Sequence, residues 1–275
     1  MLAAEVEGSV VPAEQAPALA SDHGVSVAQL MGLLVPLAAE RYATPPISGF
    51  RVGAVARGSS GALYLGANLE LPDTALAFTV HAEQSATANA WLNREEGLAA
   101  LAVSAAPCGH CRQFLAELTT ASSLEVLVAG HEPRLLPELL PESFGPEDLG
   151  VNACLMSPSG NGLALDSSDS LVLEALAAAN ASHAPYSRGF AGVALETASG
   201  AVHTGRYAEN AAFNPSLAPL ACALALRALA GGDDDEVTRA VLVEAPSRVS
   251  HAGATAEALR SISAAALEVV EAAAA

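Results

Sequence analysis

Four residues in two short stretches have the types and spacing to do chemistry together. Pro107-Cys-Gly-His-Cys111 sets two thiols three positions apart at the start of a helix that Pro107 opens, so both fall on one face. A helix N-terminus favours thiolate, the form that binds metal. Alone, such a pair fits a redox couple, half of a four-cysteine zinc site or an accident of spacing, and the surrounding pattern is not thioredoxin-like. Cys154 or His110 could complete a closed, four-ligand structural site. Val80-His-Ala-Glu83 adds more. Residues two apart in a helix diverge by about 200°. His81 therefore belongs at or before the first turn, where its ring and the Glu83 carboxylate can face one site. His81, Cys108 and Cys111 make three ligands, which leaves a fourth position for water and marks a catalytic zinc. Water on such a zinc is acidified towards about pH 7. A carboxylate that is not a ligand must then move protons, and Glu83 is that group. His110 is read as a packing or hydrogen-bonding residue.

The elements that must position these residues read as alternating helices and strands. A helix is expected over Ser26–Tyr42, with Val27, Leu30, Leu33, Leu34 and Leu37 on one face, stopped by Thr44-Pro-Pro46. Strand-like runs follow at Arg51–Ala56 and Ala62–Leu65, joined at Gly58-Ser-Ser-Gly61. A helix over His81–Arg94, a buried strand over Leu98–Ser104, a helix from Pro107 to Leu118 and a strand over Leu124–Val128 complete the set. This pattern predicts an α/β sandwich. Residues 1–24 read as a loosely held N-terminal arm, and the proline-rich stretch 131–150 reads as a linker.

The second half repeats the first. One gapless shift carries Pro46, Ser48, Gly53, Gly61, Ala62, Gly66 and Glu70 onto Pro185, Ser187, Gly192, Gly200, Ala201, Gly205 and Glu209. The same shift carries Ala106-Pro107 onto Ala245-Pro246. It also sets His81 on Leu220, Glu83 on Cys222, Cys108 on Ser247 and Cys111 on Ser250. The expected fold is therefore two tandem copies of one α/β unit, over 25–150 and 151–275, with every metal ligand in the first and one zinc per chain.

Charge narrows the partners. With 12 basic residues, all arginine, against 30 acidic ones, the net charge is −18. Nucleic-acid affinity comes mainly from basic contacts to phosphate, so a polynucleotide partner is disfavoured, as is an anionic membrane surface. A neutral small molecule meets no such penalty. The N-terminus is acidic where a secretion signal would be basic, and no apolar run approaches the ~18 residues of a membrane span. With a Cys-x-x-Cys pair, this predicts a cytoplasmic protein.

His81-Ala-Glu83 followed by Pro107-Cys-Gly-His-Cys111 resembles the zinc deaminase signature. Phe50-Arg-Val-Gly53, Gly66-Ala-Asn-Leu-Glu70, His81-Ala-Glu-Gln-Ser85 and Pro107-Cys-Gly-His-Cys-Arg-Gln113 are similar to the cytidine deaminases. The two-copy length, Phe144-Gly-Pro-Glu-Asp-Leu149 and Tyr207-Ala-Glu-Asn-Ala-Ala-Phe-Asn-Pro215 resemble their homodimeric branch. The similarity runs from about residue 27 to 245. It implies a three-layer α/β/α deaminase unit with a mixed sheet, and hydrolytic deamination of cytidine and deoxycytidine in pyrimidine salvage. It also implies that Phe50 stacks on the pyrimidine, that Asn68 and Glu70 hold the ribose hydroxyls, and that the Ala82 and Ala106 backbone meets the base edge. The second copy would reach the partner subunit's site through Ala212 and Phe213, in a homodimer. Core packing competes as a reading of Phe50 and Phe213, and a polar turn as a reading of Asn68 and Glu70. The rival activities are a deaminase of another cytosine compound, such as a nucleotide or nucleoside antibiotic, and a non-catalytic zinc module with four protein ligands.

Overall fold

The structure is a computed structural model; it describes residues 2–158, 160–232 and 234–274. The chain divides into two compact units. One is the chain up to Leu69 together with Val80–Ser157; the other is Glu70–Thr79 together with the chain from Pro158 onward.

The first unit is built on a six-stranded mixed sheet. Its strands are β1 (Val10–Val11), β2 (Gly53–Gly58), β3 (Leu63–Ala67), β4 (Leu98–Val103), β5 (Glu125–Val128) and β6 (Arg134–Leu135), in the order β1-β3-β2-β4-β5-β6. Only β4 and β5 run parallel. The helices are α1 (Leu2–Glu5), α2 (Gln15–Asp22), α3 (Val27–Tyr42), α4 (Ala82–Leu92), α5 (Gly109–Leu115) and α6 (Leu136–Leu139). A capping box starts α3: Ser26 Oγ accepts from the Gln29 N–H, and Gln29 Oε1 accepts from the Ser26 N–H. Leu30, Leu34 and Leu37 bury against the sheet, whereas Leu33, expected on the same face, is exposed.

Glycines set the layers. A Cβ on Gly53 would run into the α3 backbone at Val35 and Ala39, and one on Gly66 into the α4 backbone at Ala86. Gly66 pairs with Ala54, the strand neighbour of Gly53. Successive strand residues face opposite sides, so α3 and α4 cover opposite faces of one sheet. The result is a three-layer α/β/α sandwich.

The second unit repeats this plan. Its elements are β7 (Leu163–Ala164), α7 (Ser170–Asn180), β8 (Ala191–Thr197), β9 (Val202–Arg206), α8 (Pro219–Leu229), β10 (Val237–Glu244), α9 (Ala252–Arg260), β11 (Leu267–Glu271) and β12 (Ala273–Ala274). The main sheet has the order β11-β10-β8-β9 with β10 and β11 parallel, matching β5-β4-β2-β3; β7 and β12 form a separate ribbon. Gly192 lies against α7 at Ala175 and Ala179, and Gly205 against α8 at Pro219 and Ala223. Two of the glycine pairs that revealed the repeat, Gly53 with Gly192 and Gly66 with Gly205, are thus points where helix backbone touches strand backbone and no side chain fits, whereas Gly61 and Gly200 take left-handed turns.

Two expectations need correction. The stretch read as a loose arm is held in place: β1 pairs with β3, and Val6, Val11, Ala16 and Ala20 join the hydrophobic core. Stretch 131–150 is no plain linker either, because β6 extends the sheet and Leu136 of α6 is buried. Short apolar segments amid Ala and Pro carry no period long enough to read; only the partner surface defines them.

Candidate active site

Two helix starts place the ligands. His81 is the N-cap of α4, in extended backbone (φ −83°, ψ 154°), and Glu83 follows within the first turn. The extended cap undoes the helical divergence between them. Cys108 is the N-cap of α5 and Cys111 lies in its first turn; Pro107 precedes the cap rather than opening the helix as expected. The loop before it is clamped by Arg112, whose Nε donates to the Pro107 carbonyl at 2.8 Å and Nη1 to the Leu139 carbonyl at 2.8 Å.

Cys108 Sγ stands 3.7 Å from Cys111 Sγ and 3.6 Å from His81 Nδ1. The three ligand atoms all lie within 4.8 Å of one another. A tetrahedral zinc with bonds of about 2.3 Å to sulfur and 2.0–2.1 Å to nitrogen sets two sulfurs about 3.8 Å apart and sulfur about 3.5 Å from nitrogen. The donor set therefore fits zinc in chemistry and spacing. Neither Cys154 nor His110 joins this cluster, so a closed four-ligand site does not form among the described residues.

Glu83 is buried. Burial pushes its carboxyl above the usual range, opposed by its own backbone N–H, His81 and the Cys111 thiol. Burial likewise pushes the Cys111 thiol up, reinforced by Glu83 and Cys108. A bound dication inverts that logic for a coordinating thiol, which it deprotonates. A group that both takes and returns a proton must lie within reach of the reacting atoms, and Glu83 stands in the first turn of the helix capped by His81.

The whole of α4 from Ala82 to Trp91 is buried. Its polar side chains are satisfied inside: Thr87 Oγ1 donates to the Glu83 carbonyl, Asn89 Nδ2 to the Leu65 carbonyl, and Ser85 Oγ accepts from the Ala67 N–H. Ala82 is buried and Ala106 exposed. Phe50 is 62 % exposed. Asn68 holds the loop that carries it, accepting from the Val52 N–H and donating to the Phe50 carbonyl, each at 2.9 Å. That loop-holding role escaped the sequence reading, because the partners are backbone atoms from a separate stretch. Glu70, buried, belongs to the second unit, as do Ala212 and Phe213, both exposed. Phe213 has left-handed backbone (φ 61°), and its N–H donates to the Asn210 carbonyl at 2.8 Å.

In the second unit the gapless register fails at the helix that matters. The bridge Thr44–Leu69 recurs as His183–Ala208, but Leu69–Val80 recurs as Ala208–Leu217, a shorter excursion. The α8 N-cap is Ala218, so the structural counterparts of His81 and Glu83 are Ala218 and Leu220, not Leu220 and Cys222. The α9 N-cap is His251, after a longer loop, where α5 has Cys108. On either register, no group of three metal ligands forms among the described residues of the second unit.

Own side chains fill the corresponding space. Tyr207 stands where Asn68 does, and the His251 ring lies 4.2 Å from its ring. His251 Nε2 donates to the carbonyl of Gly189, the counterpart of Phe50, at 3.2 Å. Glu209, which had no assigned role, accepts from the N–H groups of Tyr186 and Ser187 and so holds a turn. Burial pushes His251 below the ordinary histidine value, against the Gly189 carbonyl, Glu244 and Glu209. The unfolded ring titrates near about 6.5. A depressed folded value means that stability is fully present above about pH 6.5 and is lost as pH falls through the folded value. The melting temperature is therefore expected to fall as pH drops below about 6.5, and His251→Phe to flatten that slope. An identical slope in the variant would exclude the ring as the titrating group.

Among the described residues, no single helix is long and apolar enough to cross a membrane. Two family models, both described as the cytidine and deoxycytidylate deaminase zinc-binding region, match residues 26–125 and 136–256. A cytidine deaminase of Vibrio cholerae serotype O1 is 50% identical over 240 residues, 87% of this chain and 81% of its own. That of Serratia proteamaculans is 49% identical over 241 residues, 88% of this chain and 82% of its own. That of a Shewanella species (strain MR-7) is 46% identical over 259 residues, 94% and 87%. A solved cytidine deaminase from Mycobacterium tuberculosis is 32% identical, covering 42% of this chain and 96% of its own with a TM-score of 0.38. The two family models together span most of the chain, and curated relatives 46–50% identical are each covered over four fifths of their length: the chain belongs to the zinc-dependent cytidine deaminase family.

Proposed function

We propose that this chain hydrolyses cytidine and deoxycytidine to uridine and deoxyuridine, releasing ammonia, with His81, Cys108 and Cys111 holding zinc and Glu83 carrying protons. The observation behind the assignment of roles is the three-ligand cluster with Glu83, a non-ligand carboxyl, beside it. A zinc bound there acidifies water towards about pH 7, so that attack on C4 is possible in neutral solution. Glu83 takes a proton from the attacking water and delivers it to N3. It then takes the proton of the new C4 hydroxyl and gives it to the amino group, which leaves as ammonia. Phe50 stacks on the base, and the backbone of Ala82 and Ala106 meets the base edge. Asn68, whose amide has a further N–H to give, and Glu70 hold the ribose hydroxyls. Loss of cytidine absorbance with matching ammonia release tests the reaction; neither occurring would overturn it.

A carboxylate on the ribose suits an unphosphorylated sugar and repels a phosphate. Cytidine monophosphate is expected to react with kcat/KM at least about tenfold lower than cytidine, since like-charge juxtaposition costs several kcal/mol. Equal or faster turnover of the monophosphate would remove Glu70 from the ribose site and favour a nucleotide deaminase.

The active form we propose is a homodimer in the cytoplasm. The exposed Phe213, held in left-handed backbone, supports a loop built to meet a partner surface, with Ala212 beside it at the partner subunit's substrate. Light scattering should give twice the 27.6 kDa chain mass, and Phe213→Ala should raise KM. A fully active monomer would overturn this. The free thiols of Cys108 and Cys111 support a reducing compartment.

A further inference from the structure

Two side chains at the start of α4 and one on α5 form an arrangement that the proton transfers do not use. Gln84, 2 % exposed, lies one turn above His81. Its Oε1 accepts from the His81 backbone N–H at 3.2 Å, and its Nε2 stands 3.3 Å from His110 Nε2. Because the oxygen end is committed to a backbone N–H, the amide nitrogen faces His110 as a donor, and His110 Nε2 accepts. The His110 ring in turn stacks on the His81 ring, with centroids 5.6 Å apart and planes 27° from parallel. One buried amide therefore fixes both the backbone from which His81 projects and the ring against which its imidazole lies.

An imidazole at a helix cap can turn about its last torsion, which is broad. Here it must present Nδ1 to the cysteine side, since Nδ1 is the atom 3.6 Å from Cys108 Sγ. Metal-bound histidines are usually oriented by a partner on the second ring nitrogen. We propose that in this chain Gln84 and His110 are positioning residues for His81: stacking on His110, itself aimed by Gln84, sets the plane and direction of the ligand ring. This rests on the reading that His81, Cys108 and Cys111 hold zinc. It gives the histidine between the two cysteines a purpose beyond filling space. It also accounts for a polar side chain at a buried position where an apolar one would pack.

The test uses the full-length zinc protein. Zinc affinity is measured by competition with a chelator of known strength, and the geometry by the visible spectrum of the cobalt(II)-substituted protein. Gln84→Met keeps volume and breaks both hydrogen bonds; His110→Ala removes the stacked ring; His110→Phe restores a planar ring without the acceptor. Gln84→Met and His110→Ala are each expected to weaken zinc binding by about 10–100-fold and to alter the cobalt spectrum. His110→Phe should recover only part of the loss and of the cobalt spectrum, because the stacked ring returns without the hydrogen bond from Gln84 that aims it; a role in packing alone would be restored in full. Should His110→Ala not fold, Gln84→Met with His110→Phe carries the same comparison. Zinc affinity within about twofold of wild type in Gln84→Met, with an unchanged spectrum, would overturn the positioning role. Cys108→Ala separates the two readings. If it loses zinc while Gln84→Met keeps it, the ligands stand and the positioning inference fails; if Cys108→Ala itself retains zinc, the ligand assignment fails and takes the inference with it.

Discussion

Glu83→Gln is expected to keep its zinc and to lose at least about 10⁴-fold in kcat, the upper end of what general acid–base catalysis supplies. The large figure follows from one carboxyl serving both attack and departure. The substitution is nearly isosteric and leaves His81, Cys108 and Cys111 untouched. Because the position is buried, a neutral amide there costs less than a carboxylate, so the melting temperature should equal or exceed that of the wild type. KM for cytidine should change only a few-fold, since the amide keeps a hydrogen bond to the base and the other proposed base and sugar contacts are untouched. A loss of 10⁴ corresponds to roughly 5.4 kcal/mol of transition-state stabilisation. Turnover above about a tenth of wild type, far short of that range, would mean that another group moves the protons.

Cys111→Ala should instead abolish zinc binding and with it activity. Metal analysis of the wild type is expected to give one zinc per chain, and of the variant none. Two zincs per wild-type chain would show that the second unit holds a site after all. The thiol removed is fully buried, so the variant loses core packing as well as a ligand. Its melting temperature should drop further than that of wild type stripped by a chelator. Returning zinc should restore stripped wild type, because a ligand bound only by the folded state stabilises it by mass action. It should do nothing for Cys111→Ala. A variant that recovered full activity on zinc addition would remove Cys111 from the ligand set.

Much of this was legible in the chain because the signals are local. His81, Cys108 and Cys111 are short-range features: each ligand sits at or next to a helix start, and cap geometry depends on a few neighbouring residues. The repeat was legible through Gly53, Gly66, Gly192 and Gly205, since a backbone contact between helix and strand admits no other residue. The apolar period from Ser26 to Tyr42 and the stop at Thr44-Pro-Pro46 marked α3 to within a residue.

Other features needed the folded chain. Because α4 is buried on all sides, it has no apolar stripe, and nothing local in Gln84, Ser85, Thr87 and Asn89 marks them as buried; their partners lie elsewhere in the fold. Residues 1–24 looked like an arm because two-residue β1 is defined only by the strand it joins. The register of the second unit slipped at α8 because a change in loop length leaves no trace in a gapless comparison.

By itself, then, the sequence determined that His81, Cys108 and Cys111 have the types and spacing of a zinc site with Glu83 nearby, that the unit occurs twice, and that the second copy lacks that His/Cys/Cys pattern. Those are properties of residue type and short spacing. Only the tertiary structure decided that Nδ1 is the His81 atom turned to the cysteines, that Gln84 and His110 frame its ring, and that Tyr207 and His251 fill the second copy's space. Each of these depends on side chains far apart in sequence reaching van der Waals or hydrogen-bond distance. That is set by how helices pack on the sheet, and no local pattern encodes it.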